Sequence, residues 1–99
     1  MYFVCANAYK IFRGFVHLSV MEGIDSQKII QQFGRNLEKI RKEKGLTLRE
    51  LAHIADIDHS SIHRIESGVA NPMLTMIITL AKALEVDPAE LLAPFKANK

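Results

Sequence analysis

Tryptophan is absent from this chain of 99 residues, cysteine occurs once, and opposite charges nearly cancel, thirteen Lys and Arg against eleven Asp and Glu. The lone thiol, Cys5, closes no internal disulfide and builds no multi-thiolate metal site, which fits a reducing cytosol. Residues 1 to 20, MYFVCANAYKIFRGFVHLSV, are apolar and aromatic, carry Lys10, Arg13 and His17, and have no acid. Asn7, Lys10 and Arg13 break their apolar runs well short of the roughly twenty consecutive residues that a spanning helix needs. No charged stretch precedes an uninterrupted apolar core there, so a signal peptide does not fit either. Repeats, low-complexity tracts and strand-like alternation are also missing. What is present is one domain's worth of sequence in which 48% of residues are hydrophobic, a composition suited to a compact helical core. A formal net charge of +2 is by itself weak evidence for a nucleic-acid partner.

From Ser26 onward the pattern predicts five helices and an all-α fold. Ser26 is the expected N-cap of a first helix running to about Glu43, with Ile29, Ile30, Phe33, Leu37 and Ile40 at helical spacing and Gly45 as its exit. Thr47 with Glu50 forms a T-x-x-E capping box, which satisfies two orphan backbone donors and fixes the start of a second, short helix. Leu51, Ala52 and Ala55 give that helix one apolar stripe. Asp56 falls where the chain must turn with positive φ, a conformation Asp tolerates better than branched residues do, and Ile57 plugs the turn. Asp58 is the expected N-cap of a third helix, with Ile62 and Ile65 facing inward and His59, Ser60, His63 and Arg64 facing out. Gly68 closes it, and Asn71-Pro72 sits in the loop that follows. Leu74, Ile77, Ile78, Ala81 and Leu84 are the expected buried face of a fourth helix. Asp87, Pro88 and Glu90 open a fifth, which Pro94 stops.

Two short helices joined by so tight a turn are expected to cross nearly at right angles, the geometry by which a small protein pushes a helix into the DNA major groove. The segment Thr47 to Gly68, TLRELAHIADIDHSSIHRIESG, resembles the helix-turn-helix of the phage-repressor family, also called Cro-type or Xre-like. The likeness extends upstream through FGRNLEKIRKEKGLTLRELA and downstream through NPMLTMIITLAKALEVDPAELL. The resemblance implies a five-helix, lambda-repressor-like domain over residues 26–94, following an N-terminal extension over 1–25 and preceding a short tail over 95–99. It also implies a cytoplasmic transcriptional regulator, a repressor or autoregulator, that binds a palindromic operator in double-stranded DNA as a homodimer.

The family pattern assigns roles residue by residue. His59, Ser60, His63 and Arg64 are the expected base readers. Thr47, Leu48, Ser61, Ser67 and Asn71 lie where the family touches phosphate. Arg41 and Glu66 match a pair that ties the first helix to the end of the third, with bidentate geometry expected between them. Val86, Leu92, Pro94 and Phe95 are dimer candidates, because the chain after the fifth helix offers apolar groups with no obvious internal partner. The sequence also departs from the pattern. Leu48 replaces a glutamine that braces the first base reader, Asp56 replaces the turn glycine, Met73 replaces a small capping residue, and Ile54 is apolar where the family is commonly polar.

Other chemistries fit less well. His59 and His63 are one helical turn apart, but no third ligand is fixed nearby, so neither a metal nor any other cofactor is expected. Asp58, His59, Ser60 and Ser61 do not converge on one point from a short helix, and nothing supplies an oxyanion hole, so catalysis is not expected. Basic residues concentrate between Lys28 and Arg49, whereas the motif after Arg49 is acidic, so histidines are candidates for part of the binding charge. Two alternative roles use the same fold, an antitoxin with a toxin partner or a controller of a restriction-modification operon. A third is a protein-interaction module with reduced DNA affinity, motivated by Leu48, Asp56 and the near-neutral balance. Residues 1–20 read first as a leader ahead of Met21 without a function, second as a packing arm or dimer element, and third as a membrane contact.

Overall fold

The computed structural model describes residues 25–96; Cys5, the N-terminal extension through residue 24 and residues 97–99 lie outside the described residues. Asp25 opens α1 (Ser26–Glu43), its carboxylate accepting from the Lys28 amide at 3.2 Å. Ser26 is therefore the first helical residue and not the cap. Two capping residue types stand side by side here, and the carboxylate that reaches the third amide takes the position. Phe33, Leu37 and Ile40 are buried on one side of α1, while Ile29 near its open end is 43% exposed. Gly45, at φ +74°, reverses the chain, and the Leu46 amide closes the turn on the Arg41 carbonyl at 3.1 Å.

The next helix, α2 (Leu48–Ala55), begins with the complete capping box. The Thr47 hydroxyl accepts from the Glu50 amide at 3.1 Å, and the Thr47 amide donates to the Glu50 carboxylate at 2.8 Å. Asp56 ends α2 in the left-handed region at φ 58°, and the Ile57 amide folds back onto the Ala52 carbonyl at 3.0 Å. Ile57, half-buried, packs against the core, and α3 (His59–Glu66) starts two residues later.

A loop from Ser67 leads to α4 (Leu74–Leu84), which ends on Glu85 at φ 60°. The one-turn α5 (Pro88–Leu91) is capped by Asp87, whose carboxylate accepts from the Ala89 amide at 2.9 Å. It stops at Leu91, earlier than Pro94, which lies in a 3-10 turn over Ala93–Phe95. Among the described residues there is no strand, and no helix is long and apolar enough to cross a membrane.

The core draws on every helix. Leu37, Leu51, Ile62, Leu80, Leu84 and Leu91 are its largest fully buried side chains. The buried face of α4 differs from the expected one: Leu80, Ala81 and Leu84 are buried, Ile77 is half-buried, and Leu74 and Ile78 are 71% and 36% exposed. At about 100° per residue, Ile78 projects roughly 120° round the helix from Leu84. Because α4 is apolar on more than one side, its periodicity does not single out the face that meets α2 and α5.

Helix α1 approaches α3 more closely than side chains alone would permit. A Cβ on Gly34 would collide with the carbonyl oxygens of Ile65 and Glu66, so backbone rests on backbone at this crossing. Gln27 donates from Nε2 to the Gly68 carbonyl at 2.9 Å, adding a tie at the open end of α1. Asn36 does the same for α5, donating to the Glu90 and Leu91 carbonyls at 2.9 and 3.0 Å.

Candidate nucleic-acid interface

Helix α3 has one face in the core and one in solvent. Ile62, Ile65 and Glu66 are buried, Ser60, His63, Arg64 and Ser67 are exposed, and His59 and Ser61 are half-buried at the boundary. The outward side chains fall into the i, i+4 pairs His59 with His63 and Ser60 with Arg64, so they form one continuous row along the helix.

Arg41 sets where that row sits. Its Nε lies 2.7 Å from Glu66 Oε2, its Nη2 donates to Glu66 Oε1 at 3.0 Å, and its Nη1 donates to the Leu46 carbonyl at 2.7 Å. One planar group thus joins α1, the loop before α2 and the last turn of α3. The bond to Glu66 raises the Arg41 pKa above its already high ordinary value, so the guanidinium keeps its charge and all its donors. Both side chains are over nine-tenths buried, which makes their mutual satisfaction a condition for keeping either there.

The start of α3 is less regular. Asp58 occupies the N-cap position at φ −60°, but its side chain makes no capping hydrogen bond. Instead the Ser60 hydroxyl donates to Asp58 Oδ2. That donation, with smaller help from nearby amides and His59, holds the Asp58 carboxyl below the usual carboxylate range.

The phosphate candidates gather in three places. At the start of α2 the Thr47 amide is already taken by Glu50, which leaves the first amides of the helix, those of Leu48 and Arg49, without intrahelical partners. The Leu48 side chain packs against the core, so only its backbone faces outward chemistry. Ser61, Arg64 and Asn71 meet across a cleft of about 200 Å³, walled also by Pro72 and Met73. Ser67 stands apart at the end of α3, its hydroxyl donating to the His63 carbonyl at 2.8 Å.

The dimer candidates also divide. Val86 is half-buried against the core, Leu92 and Phe95 are 42% and 37% exposed, and Pro94 is exposed between them. Sequence reasoning missed Gly34 and Gln27, which position α3 from behind. An isolated glycine inside an amphipathic helix was the available signal for the first. For Gln27 there was none, because its partner is a backbone carbonyl 41 residues away. Among the described residues no group of three or more His, Cys, Asp or Glu side chains is arranged to hold a metal ion.

Comparison with known proteins identifies the family. Residues 37–91 match the family model for the helix-turn-helix family HTH_3. The chain is 32% identical over 71 residues to y4dJ, an uncharacterised HTH-type transcriptional regulator of Sinorhizobium fredii, a match covering 72% of this chain and 88% of the relative. Among solved structures, the restriction-modification controller protein C.AhdI from Aeromonas hydrophila is 35% identical with a TM-score of 0.67, covering 69% of this chain and 99% of that one. The controller protein C.Esp1396I is 27% identical with a TM-score of 0.62, covering 67% and 87% respectively. The chain therefore belongs to the HTH_3 helix-turn-helix family of DNA-binding transcriptional regulators.

Proposed function

We propose that α3 lies in the major groove with His59, Ser60, His63 and Arg64 towards base edges, and that two copies of the chain occupy the halves of a palindromic operator as a repressor or autoregulator. The observation that carries this reading is the outward row of α3, polar throughout and exposed at Ser60, His63 and Arg64, on a helix whose opposite face is locked by the core and by Arg41 with Glu66. Phosphates are gripped at the start of α2, by the Leu48 amide with Thr47 beside it, and along the cleft by Ser61 and Asn71, with Ser67 at the far end of α3. A single helix reads few base pairs, so twofold symmetry is the economical route to specificity. Leu92, Pro94 and Phe95, with Val86 beneath, offer the apolar contact between copies. No cofactor and no catalytic step belong to this reading, and it places the protein on DNA in the cytoplasm.

A second reading, control of a restriction-modification operon, is favoured by the likeness to C.AhdI along nearly the whole of that protein. It uses the same contacts and differs in the genes beside the operator. Selection of bound sequences from random duplexes, using the purified chain, tests the proposal. A symmetric motif with half-sites about one helical turn apart is expected. Failure to enrich any sequence would overturn it, and an asymmetric motif bound by a monomer would remove the dimer. Finding the selected motif upstream of restriction and modification genes would favour the second reading.

A further inference from the structure

We propose that Asp58 and Ser60 form one acceptor-only unit at the start of α3 that selects the amino group of a cytosine in each half-site. The geometry is not that of a plain helix cap. Asp58 stands at the cap position, yet its carboxylate bonds the Ser60 hydroxyl in place of a capping hydrogen bond to an α3 amide.

The consequence follows from counting donors. A free serine hydroxyl offers one hydrogen and two lone pairs, so it accepts any base edge. With its hydrogen committed to Asp58, Ser60 presents lone pairs only. An ionised carboxylate also presents lone pairs only, and the Ser60 bond holds the Asp58 carboxyl below the usual carboxylate range. Both side chains are exposed, so this double acceptor faces whatever lies against the N-terminal end of α3.

Guanine and thymine show only acceptors to the major groove, O6 with N7 and O4, and an acceptor unit is repelled by both. Adenine offers its N6 amino group, but the N7 acceptor beside it meets the same lone pairs. Cytosine offers N4 with only a C–H neighbour, and an aspartate accepting from that amino group is an established pairing. Phosphate oxygens are also acceptors, which turns the unit away from the backbone and towards the bases. The N-terminal residues of a helix in the groove are those that reach base edges. This inference rests on the proposed placement of α3 in the groove.

The test compares the motifs selected from random duplexes by the wild-type chain, Asp58→Asn and Ser60→Ala, with helical content checked by circular dichroism. The wild-type motif should contain one cytosine in each half-site whose replacement by thymine weakens binding about tenfold to a hundredfold. Asp58→Asn keeps the shape and adds a donor, so that position should change to adenine, the base an asparagine pairs with through N6 and N7. Ser60→Ala frees the carboxylate to cap α3, and the cytosine preference should fall while the rest of the motif persists. A wild-type motif left unchanged by both folded variants, or an equal loss on all sequences, would overturn the Asp58 and Ser60 unit while leaving the groove reading intact. No motif at all from folded wild-type protein would overturn both.

Discussion

On its inner side α3 carries Ile62 and Ile65 in the core and Glu66 bonded twice by Arg41; on its outer side Ser60, His63 and Arg64 stand in solvent. The inner side is over-determined, since a hydrophobic core, a bidentate ion pair and the backbone contact at Gly34 all fix the same helix in one position. On the outer side the only side-chain hydrogen bonds found among the described residues are those of Ser60 and Ser67, both within α3 and its caps. A surface that must meet a ligand gains when its side chains are unpartnered and its scaffold is rigid, because the ordering of the helix has already occurred before binding. Stability and recognition should therefore be separable by side, with different experiments sensing each.

The largest effect is expected from Arg41→Ala, which leaves the Glu66 carboxylate buried without its partner. Unfolding stability should fall by about 3 to 5 kcal/mol, and the double variant with Glu66→Ala should lose less than the two single losses added together. Small, additive losses in denaturant titrations would mean that the inner side is not held by the pair. Gly34→Ala comes next. Alanine is the better helix former by about 1 kcal/mol, yet its methyl group must push against the Ile65 and Glu66 carbonyls, and forced overpacking typically costs about 1 to 3 kcal/mol. A net loss of stability is expected, and a gain would show that α1 and α3 can separate freely.

Arg64→Ala probes the other side. Its stability should stay within about 0.5 kcal/mol of wild type, while affinity for the selected operator should drop by roughly 1 to 3 kcal/mol. An equal loss on every duplex would reassign Arg64 to phosphate, and a loss of stability without loss of affinity would undo the contrast between the two faces. Leu74→Ser should have the smallest effect. Because Leu74 is 71% exposed, the change should move stability by no more than about 0.5 kcal/mol, whereas Leu80→Ser at a fully buried site of the same helix should cost several times more. Similar losses at both positions would mean that the broader apolar face of α4 is buried after all.

Features encoded by neighbouring residues were legible in the sequence. The Thr47 and Glu50 capping box, the positive φ of Asp56 and the glycine exits at Gly45 and Gly68 all depend on residues a few positions apart, and each was readable from residue type and spacing. The positions facing inward on α3 followed in the same way from Ile62 and Ile65. Choices between similar local options were not legible. Asp25 and Ser26 are both good caps, and α4 offers apolar residues on several sides, so tertiary contact decided which was used. Within the candidate interface, the sequence placed Asp58 at the cap, but the bond its carboxylate makes with Ser60 depends on rotamers that residue type does not determine. The close approach at Gly34 belongs to the same class, because it is set by a helix that lies 31 residues further along the chain.

The three hydrogen bonds of Arg41 carry a consequence for how this domain opens. A local fluctuation that releases the last turn of α3 must strip two guanidinium nitrogens from Glu66, while the third still holds the Leu46 carbonyl just ahead of α2. The end of α1, the turn at Gly45 and the end of α3 thus belong to one cooperative unit, and their backbone amides should exchange with solvent deuterium at one common slow rate. Helix α5, four residues long and tied back by the Asn36 side chain, lies outside that unit and should exchange first.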